Sequence, residues 1–282
     1  MAERNPTVRM LGTADGDLAL HDFGGTGPTA LLLHGLTANA RSLDAVVDDV
    51  GDLLHLVALD FRGRGLSGPP QRGPAIPGHA ADAAAAIRAI GGPVRLIGHS
   101  LGALVALWLA AAEPGLVERL VLIDGAGDVP PANLEAIGPS LKRLELEYED
   151  DGEYLAMMRA APHLQPWNDY IEAFARLDAM QLGNGHVRSR IDPRQIVEEL
   201  TANAELPSLR ASQEAIGCPT LILRGAAPVA QGVPPVFDRQ SCLDAHAAIR
   251  DSLLVELPRA HHYSIALQPN PLRRAALRDF LA

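Results

Sequence analysis

A chain of 282 residues, 48% hydrophobic and 21% charged, has the apolar content to bury one large core and is too apolar to stay disordered. Its net charge of −10, with no Lys/Arg cluster, argues against a nucleic-acid or anionic-membrane partner. The opening Met1–Pro6 carries no apolar leader, and the longest apolar run, Ala103–Ala112, is too short to span a bilayer. Cys218 and Cys242 lack metal-ligand spacing, so a cytoplasmic protein with free thiols is expected.

Along the chain, Thr7–Leu11 and Leu18–Phe23 read as antiparallel strands at a sheet edge. The glycine cluster Gly24–Pro28 that follows lacks the Lys-Ser/Thr of a phosphate loop and reads as a turn. Thr29–His34 is a continuous apolar run ending at Gly35, the pattern of a strand buried on both faces. Leu56–Asp60, Val94–Gly98, Leu120–Asp124, Thr220–Arg224 and Leu253–Leu257 repeat that grammar. Helix-like segments come at Arg41–Val50, His79–Ile90, Leu101–Ala112, Gln240–Arg250 and Pro271–Leu281. Strands alternating with helices predict an α/β fold, a mostly parallel central sheet with helices on both faces.

The alternation breaks between about Gly125 and Ala215. There the periodicity turns helical over Leu134–Glu149, Glu153–Ala160, Trp167–Met180 and Pro193–Ala202, with Asp192-Pro193 as a plausible N-cap and first-turn pair. The predicted organisation is a core of residues 1–124 and 216–282 with a helical cap, or lid, inserted at 125–215. The cap holds Trp167, Phe174, three of the four Tyr and three of the five Met. Trp167, Met157 and Tyr170 are its candidates for lining an apolar substrate pocket, although side chains at helical spacing also serve simply to pack one helix on another.

The most specific signal is Gly98-His99-Ser100-Leu101-Gly102, set where an apolar strand ends and an apolar helix begins, the context of a nucleophile elbow. A turn this sharp leaves no room for a Cβ two residues either side of the serine, and it holds the Ser100 hydroxyl exposed. The helix N-terminus behind it aims N–H groups and a positive dipole end at any oxyanion formed there.

These residues resemble the α/β-hydrolase fold superfamily. Gly98–Gly102 resembles its elbow, His34-Gly35 its oxyanion turn, and Asp60-Phe61-Arg62-Gly63-Arg64-Gly65-Leu66-Ser67 its Asp-x-Arg-Gly-x-Gly-x-Ser loop, which is taken as structural. The resemblance covers nearly the whole chain and implies hydrolysis of an ester-like bond by Ser100. It implies an oxyanion hole formed by the backbone N–H groups of Leu36 and Leu101; His34 is either a buttress for the loop or directly involved.

A serine hydroxyl needs a base, and neutral imidazole suits that task. Pro258-Arg259-Ala260-His261-His262-Tyr263 resembles the family's Gly-x-Gly-His turn with Arg259 and His261 in place of glycines. That alignment selects His262 and leaves His261 as the alternative. The loop Gly225–Val229, where the family's acid usually stands, holds no carboxylate. Asp124, at the end of the strand after the nucleophile, resembles the relocated acid of some relatives; Asp238 and then Asp128 are the rivals. The resemblance implies an esterase or lactonase of carboxylesterase type acting on a small, partly apolar ester, with no metal and no cofactor. A C–C bond hydrolase of a β-diketone-like substrate and an inactive ligand-binding homologue are the alternatives, and a homodimer is left open.

Overall fold

The structure, a computed structural model, describes residues 5–70, 75–129 and 131–282; Met1–Arg4, part of the opening read above for a leader, lies outside the described residues. The strands are β1 (Thr7–Thr13), β2 (Gly16–Gly24), β3 (Thr29–Leu33), β4 (His55–Leu59), β5 (Val94–His99), β6 (Val117–Ile123), β7 (Glu147–Tyr148), β8 (Ala179–Gln181), β9 (Val187–Ser189), β10 (Thr220–Gly225) and β11 (Ser252–Leu257). The helices are α1 (Asp44–Val50), α2 (Ile76–Ile90), α3 (Leu101–Ala112), α4 (Gly138–Lys142), α5 (Asp151–Ala160), α6 (Asp169–Asp178), α7 (Pro193–Ala204), α8 (Arg210–Ala215), α9 (Arg239–Ala248), α10 (Ser264–Leu267) and α11 (Pro271–Leu281).

Among the described residues eight strands form one sheet in the order β1-β2-β4-β3-β5-β6-β10-β11. β1 and β2 pair antiparallel at its edge and the other six run parallel. This is the expected α/β architecture. Successive strand residues point to opposite faces, so the continuous apolar runs feed two cores at once. Leu31, Leu33, Val57, Leu59, Leu120 and Leu122 pack under α2 and α3, whereas Ala30, Leu32, Leu56, Ala58, Val121 and Ile123 pack against α1 and α11. The alanines of α2 (Ala80, Ala83, Ala84, Ala86) let it lie close to α3.

Between Ile123 and Thr220 the chain leaves the sheet and returns to the neighbouring position. This excursion differs from the expected run of four helices. Leu134–Glu149 is broken into a 3-10 turn over Pro131–Ile137, the short α4, another turn at Arg143–Glu145 and the strand β7. Gly138 and Pro139 interrupt any longer helix, since glycine weakens a helix interior and proline is tolerated only in a first turn. A small antiparallel sheet, β7-β9-β8, joins the helices. Helices α5, α6 and α7 begin at side-chain caps: Asp150 accepts from Glu153 N, Asn168 from Ile171 N, and Asp192, ahead of Pro193, from Arg194 N. α8 belongs to the sheet layer by packing, because Leu209 and Ile216 on either side of it join the core under α3.

Candidate active site

β5 passes into α3 through Ser100, whose φ of 55° and ψ of −121° are sparsely populated for a residue with a side chain. What over-determines this conformation is local. A Cβ at Gly98 would run into the carbonyl of Gly102, and one at Gly102 into the carbonyl of Leu33, so neither position admits another residue without backbone movement. The Ser100 N–H is held by the carbonyl of Ile123 at 3.0 Å, and its own carbonyl accepts the N–H groups of Ala103 and Leu104. The hydroxyl side is left facing a cavity.

His262 follows β11, lines the same cavity as Ser100 and is buried. Its Nδ1 lies 2.7 Å from Asp124 Oδ2. Asp124 ends β6 at a φ of 45°, and its second oxygen accepts the N–H of Gly225 at 2.9 Å. A buried carboxylate on Nδ1 selects the tautomer that donates there, which leaves Nε2 as the acceptor. His261 does not line the cavity; its Nδ1 accepts from the N–H groups of Tyr263 and Ser264 at 3.3 and 3.4 Å. Asp238 caps α9, accepting from Ser241 N at 2.7 Å, and Asp128 accepts from Ser208 Oγ and Leu209 N. Of the candidate acids, only Asp124 is brought to a candidate base.

One contributor escaped the sequence reading. His99 Nε2 donates to the carbonyl of His262 at 2.9 Å, tying the elbow directly to the histidine loop, and the two rings lie 5.0 Å apart. Burial pushes the His99 pKa down to about 3, so it stays neutral in this role. The available signal was its place inside the Gly-x-Ser-x-Gly turn, where a second imidazole has no part in the elbow's own geometry.

Gly35-Leu36-Thr37 forms the turn facing the elbow. A Cβ at Gly35 would sit 3.4 Å from Ser100 Cβ and from His99 Nδ1. His34 is a buttress: Nδ1 donates to the Gly35 carbonyl at 2.8 Å and Nε2 accepts the Phe61 N–H at 3.0 Å. Both ring nitrogens are occupied, and burial lowers its pKa to about 4. Leu36 and Leu101 both line the cavity, and Leu101 opens α3, where N–H groups have no intrahelical partner.

The cavity measures about 490 Å³. The excursion lines it with Leu134, Ile137, Met158, Leu164, Phe174 and Leu200 among others, and adds Asp128, Ser140, Arg143, His163, Asn203 and Ser208 as polar groups. Trp167, Met157 and Tyr170 are not among its lining residues. Met158 takes the buried, cavity-facing place on α5, and Met157, one residue earlier, is turned about 100° away. The Tyr170 hydroxyl donates to Asp48 Oδ2 at 2.6 Å and so ties α6 to α1. The Trp167 indole N–H points to Glu172 Oε2 at 3.3 Å, with the Arg159 guanidinium 5.5 Å over its ring. Among the described residues no helix is long and apolar enough to cross a membrane, and Cys218 and Cys242 are both free.

Known proteins resemble this chain in sequence and in fold. The 2-(acetamidomethylene)succinate hydrolase of Mesorhizobium japonicum is 34% identical over 127 residues, which are 45% of this chain and 46% of that one. The chain thus spans less than half the length of that relative. An esterase of Mycobacterium tuberculosis is 30% identical over 213 residues, 72% of this chain and 67% of the esterase. In fold, the crystal structure of E-2-(acetamidomethylene)succinate hydrolase matches with a TM-score of 0.84 at 23% identity, covering 98% of this chain and 99% of that one. A sequence model of the alpha/beta hydrolase family matches residues 30–275, nearly the span from β3 to the last helix. The chain belongs to the alpha/beta hydrolase family.

Proposed function

We propose that this protein cleaves carboxylic esters or lactones through an acyl-enzyme on Ser100, with His262 as general base and Asp124 as the acid that orients it. The observation that carries this reading is the 2.7 Å contact of Asp124 Oδ2 with His262 Nδ1, made by a histidine that shares one cavity with a serine held at positive φ. His262 Nε2 takes the Ser100 hydroxyl proton as the oxygen attacks the substrate carbonyl. The N–H groups of Leu36 and Leu101 stabilise the resulting oxyanion. Collapse expels the alcohol, which leaves with the proton from His262. Water then gives a proton to His262, attacks the acyl-enzyme and releases the carboxylic acid, and Ser100 recovers its proton. Residues 125–215 act as the cap that selects the substrate, and their mostly apolar lining favours small, partly apolar acyl groups.

A second reading has a specific basis. The relative from Mesorhizobium carries an acetamido group in the name of its substrate, and the same steps release an amine in place of an alcohol. Turnover of matched ester and amide substrates separates the two. Wild-type protein should take up a fluorophosphonate at Ser100, and Ser100→Ala should lose roughly 1,000-fold or more of its activity on short p-nitrophenyl esters with the fold intact. Undiminished turnover by Ser100→Ala would overturn the proposal.

A further inference from the structure

Given Leu36 as an oxyanion donor, we infer that the buried pair Arg64–Glu199 is a positioning device, fastening the oxyanion turn to the excursion so that the aim of the Leu36 N–H depends on how the excursion is seated. Three consecutive carbonyls of the turn are each held by a buried side chain. Gly35 O accepts from His34 Nδ1 at 2.8 Å, Leu36 O from Arg64 Nε at 3.2 Å, and Thr37 O from Arg143 Nη2 at 2.7 Å. A trans peptide is planar, so its N–H points opposite to its C=O. Holding Gly35 O therefore sets the direction of the Leu36 N–H, and holding Leu36 O, in the next peptide plane, restrains the Leu36 Cα from which the first plane hangs.

Two of the three holders are themselves gripped by the excursion. Arg64 Nη2 is paired with Glu199 on α7, and neither side chain has any exposed surface. The second Glu199 oxygen lies 3.2 Å from His79 Nε2 on α2. Burial pushes the Glu199 carboxyl up, but Arg64 and His79 outweigh it and hold the pKa below the ordinary glutamate value. Arg143 pairs with Asp178, at the end of α6, at 3.3 Å. Asp178 also accepts the Tyr154 hydroxyl of α5.

Stability alone does not explain such pairs, because desolvating two charges offsets much of their attraction and apolar residues of the same volume often do as well. Their shared end point does explain them. Leu200 and Asn203, which line the cavity, stand one and four residues beyond Glu199 on α7. A substrate pressing on that helix therefore presses on the anchor of the oxyanion turn.

The test replaces the pair without leaving a bare charge. Arg64→Met/Glu199→Leu should fold, and Glu199→Gln probes the single charge. For both, kcat on a p-nitrophenyl ester should fall roughly 10- to 100-fold with KM changed less than about threefold, a partial loss of one oxyanion donor. Affinity for a boronic acid, which mimics the tetrahedral intermediate, should fall in parallel. Arg62→Met is the comparison: Arg62 is a buried arginine of the same loop, but it pairs with Asp82, Asp15 O and Thr13 Oγ1, away from the turn. It should lose thermal stability while keeping kcat per folded molecule. Unchanged kcat and boronate affinity in the double variant, or an equal kcat loss in Arg62→Met, would overturn the inference. A wild-type chain that takes up no fluorophosphonate at Ser100 would instead sink the serine-hydrolase reading beneath it.

Discussion

The sheet layer and the excursion that covers its carboxyl edge hold their shapes by different means. Between the helices of the sheet layer, alternate apolar residues of β3, β4 and β6 fill two cores, and the reactive turn is hemmed in by sterics: Ser100 sits at positive φ between Gly98 and Gly102, neither of which has room for a Cβ, and Asp124 also sits at positive φ. The apolar cluster of the excursion, around Tyr154, Met158, Ile171 and Phe174, does not close on itself. Tyr263 and Leu267, from the stretch just after His262, complete it. Polar groups then suture the two layers. Asn39 Nδ2 donates to Phe174 O at 3.1 Å, and Ser140 Oγ to the Tyr263 hydroxyl at 2.9 Å. Steric closure holds reacting groups to a fraction of an ångström, while sutures hold a wall that can be moved. On the proposed reading, chemistry belongs to the first region and substrate choice to the second.

The sharpest break in this comparison lies at Asp124. Its substitution by Asn keeps the shape of the strand end but turns a donor-selecting carboxylate into an amide, which allows the wrong His262 tautomer. Asp124→Asn should lower kcat roughly ten-thousand-fold, while Asp238→Asn, at a helix cap outside the cavity, should leave kcat unchanged. Steady-state kinetics of the two variants side by side decide it, and a large loss at Asp238 with none at Asp124 would reverse the assignment.

Two neighbouring methionines sharpen the second region. Met158 is buried, with 1% exposure, and lines the cavity, whereas Met157 is partly buried at the edge of the same cluster. Met158→Ala should cost about 3 kcal/mol of stability and raise KM for bulky acyl groups, because it opens both the cluster and the cavity wall. Met157→Ala should cost under about 1 kcal/mol and leave KM alone. Denaturant titration and KM across an acyl-length series read both. Equal effects of the two substitutions would mean that the wall is not where the excursion packs.

The same division governs how much was legible beforehand. The strands that build the sheet announce themselves by unbroken apolar runs, and the elbow by two glycines that no larger residue can replace, so Ser100 and the fold could be read locally. Asp124 and His262, 138 residues apart, could be paired only through resemblance, because nothing near either residue encodes the other. His99 went unseen since its partner is a backbone carbonyl 163 residues away. The strands β7, β8 and β9 have two or three residues each, too few to display a period. Helical spacing marked α5 and α6 as amphipathic without naming the neighbour their apolar sides meet. Sequence alone therefore does not separate Met157, Tyr170 and Trp167 from Met158 and Phe174, the residues that face the cavity.

Acid probes both regions with a smaller effect. His34 and His99, in the sheet layer, and His163, in the excursion, have folded pKa values lowered chiefly by burial to about 4, about 3 and about 4. Each sits below the unfolded value near 6.5, so between these limits the unfolded chain binds more protons. Their contribution is fully present above about pH 6.5 and is lost as pH falls toward the folded values. Asp44 acts in the opposite sense: burial raises its carboxyl to about 7 despite Arg41, so the folded state takes up a proton there first and gains stability as pH falls through that value. These three histidines outweigh Asp44, and the net loss from pH 7 to pH 5 should be on the order of 3 kcal/mol. Urea midpoints measured across that range should decline with acid, and His163→Phe should flatten the slope by about half. A midpoint that holds steady or rises on acidification would mean that these imidazoles are not kept neutral by the fold, and with that the buttress at His34, whose Nε2 must be unprotonated to accept the Phe61 N–H, would lose its physical basis.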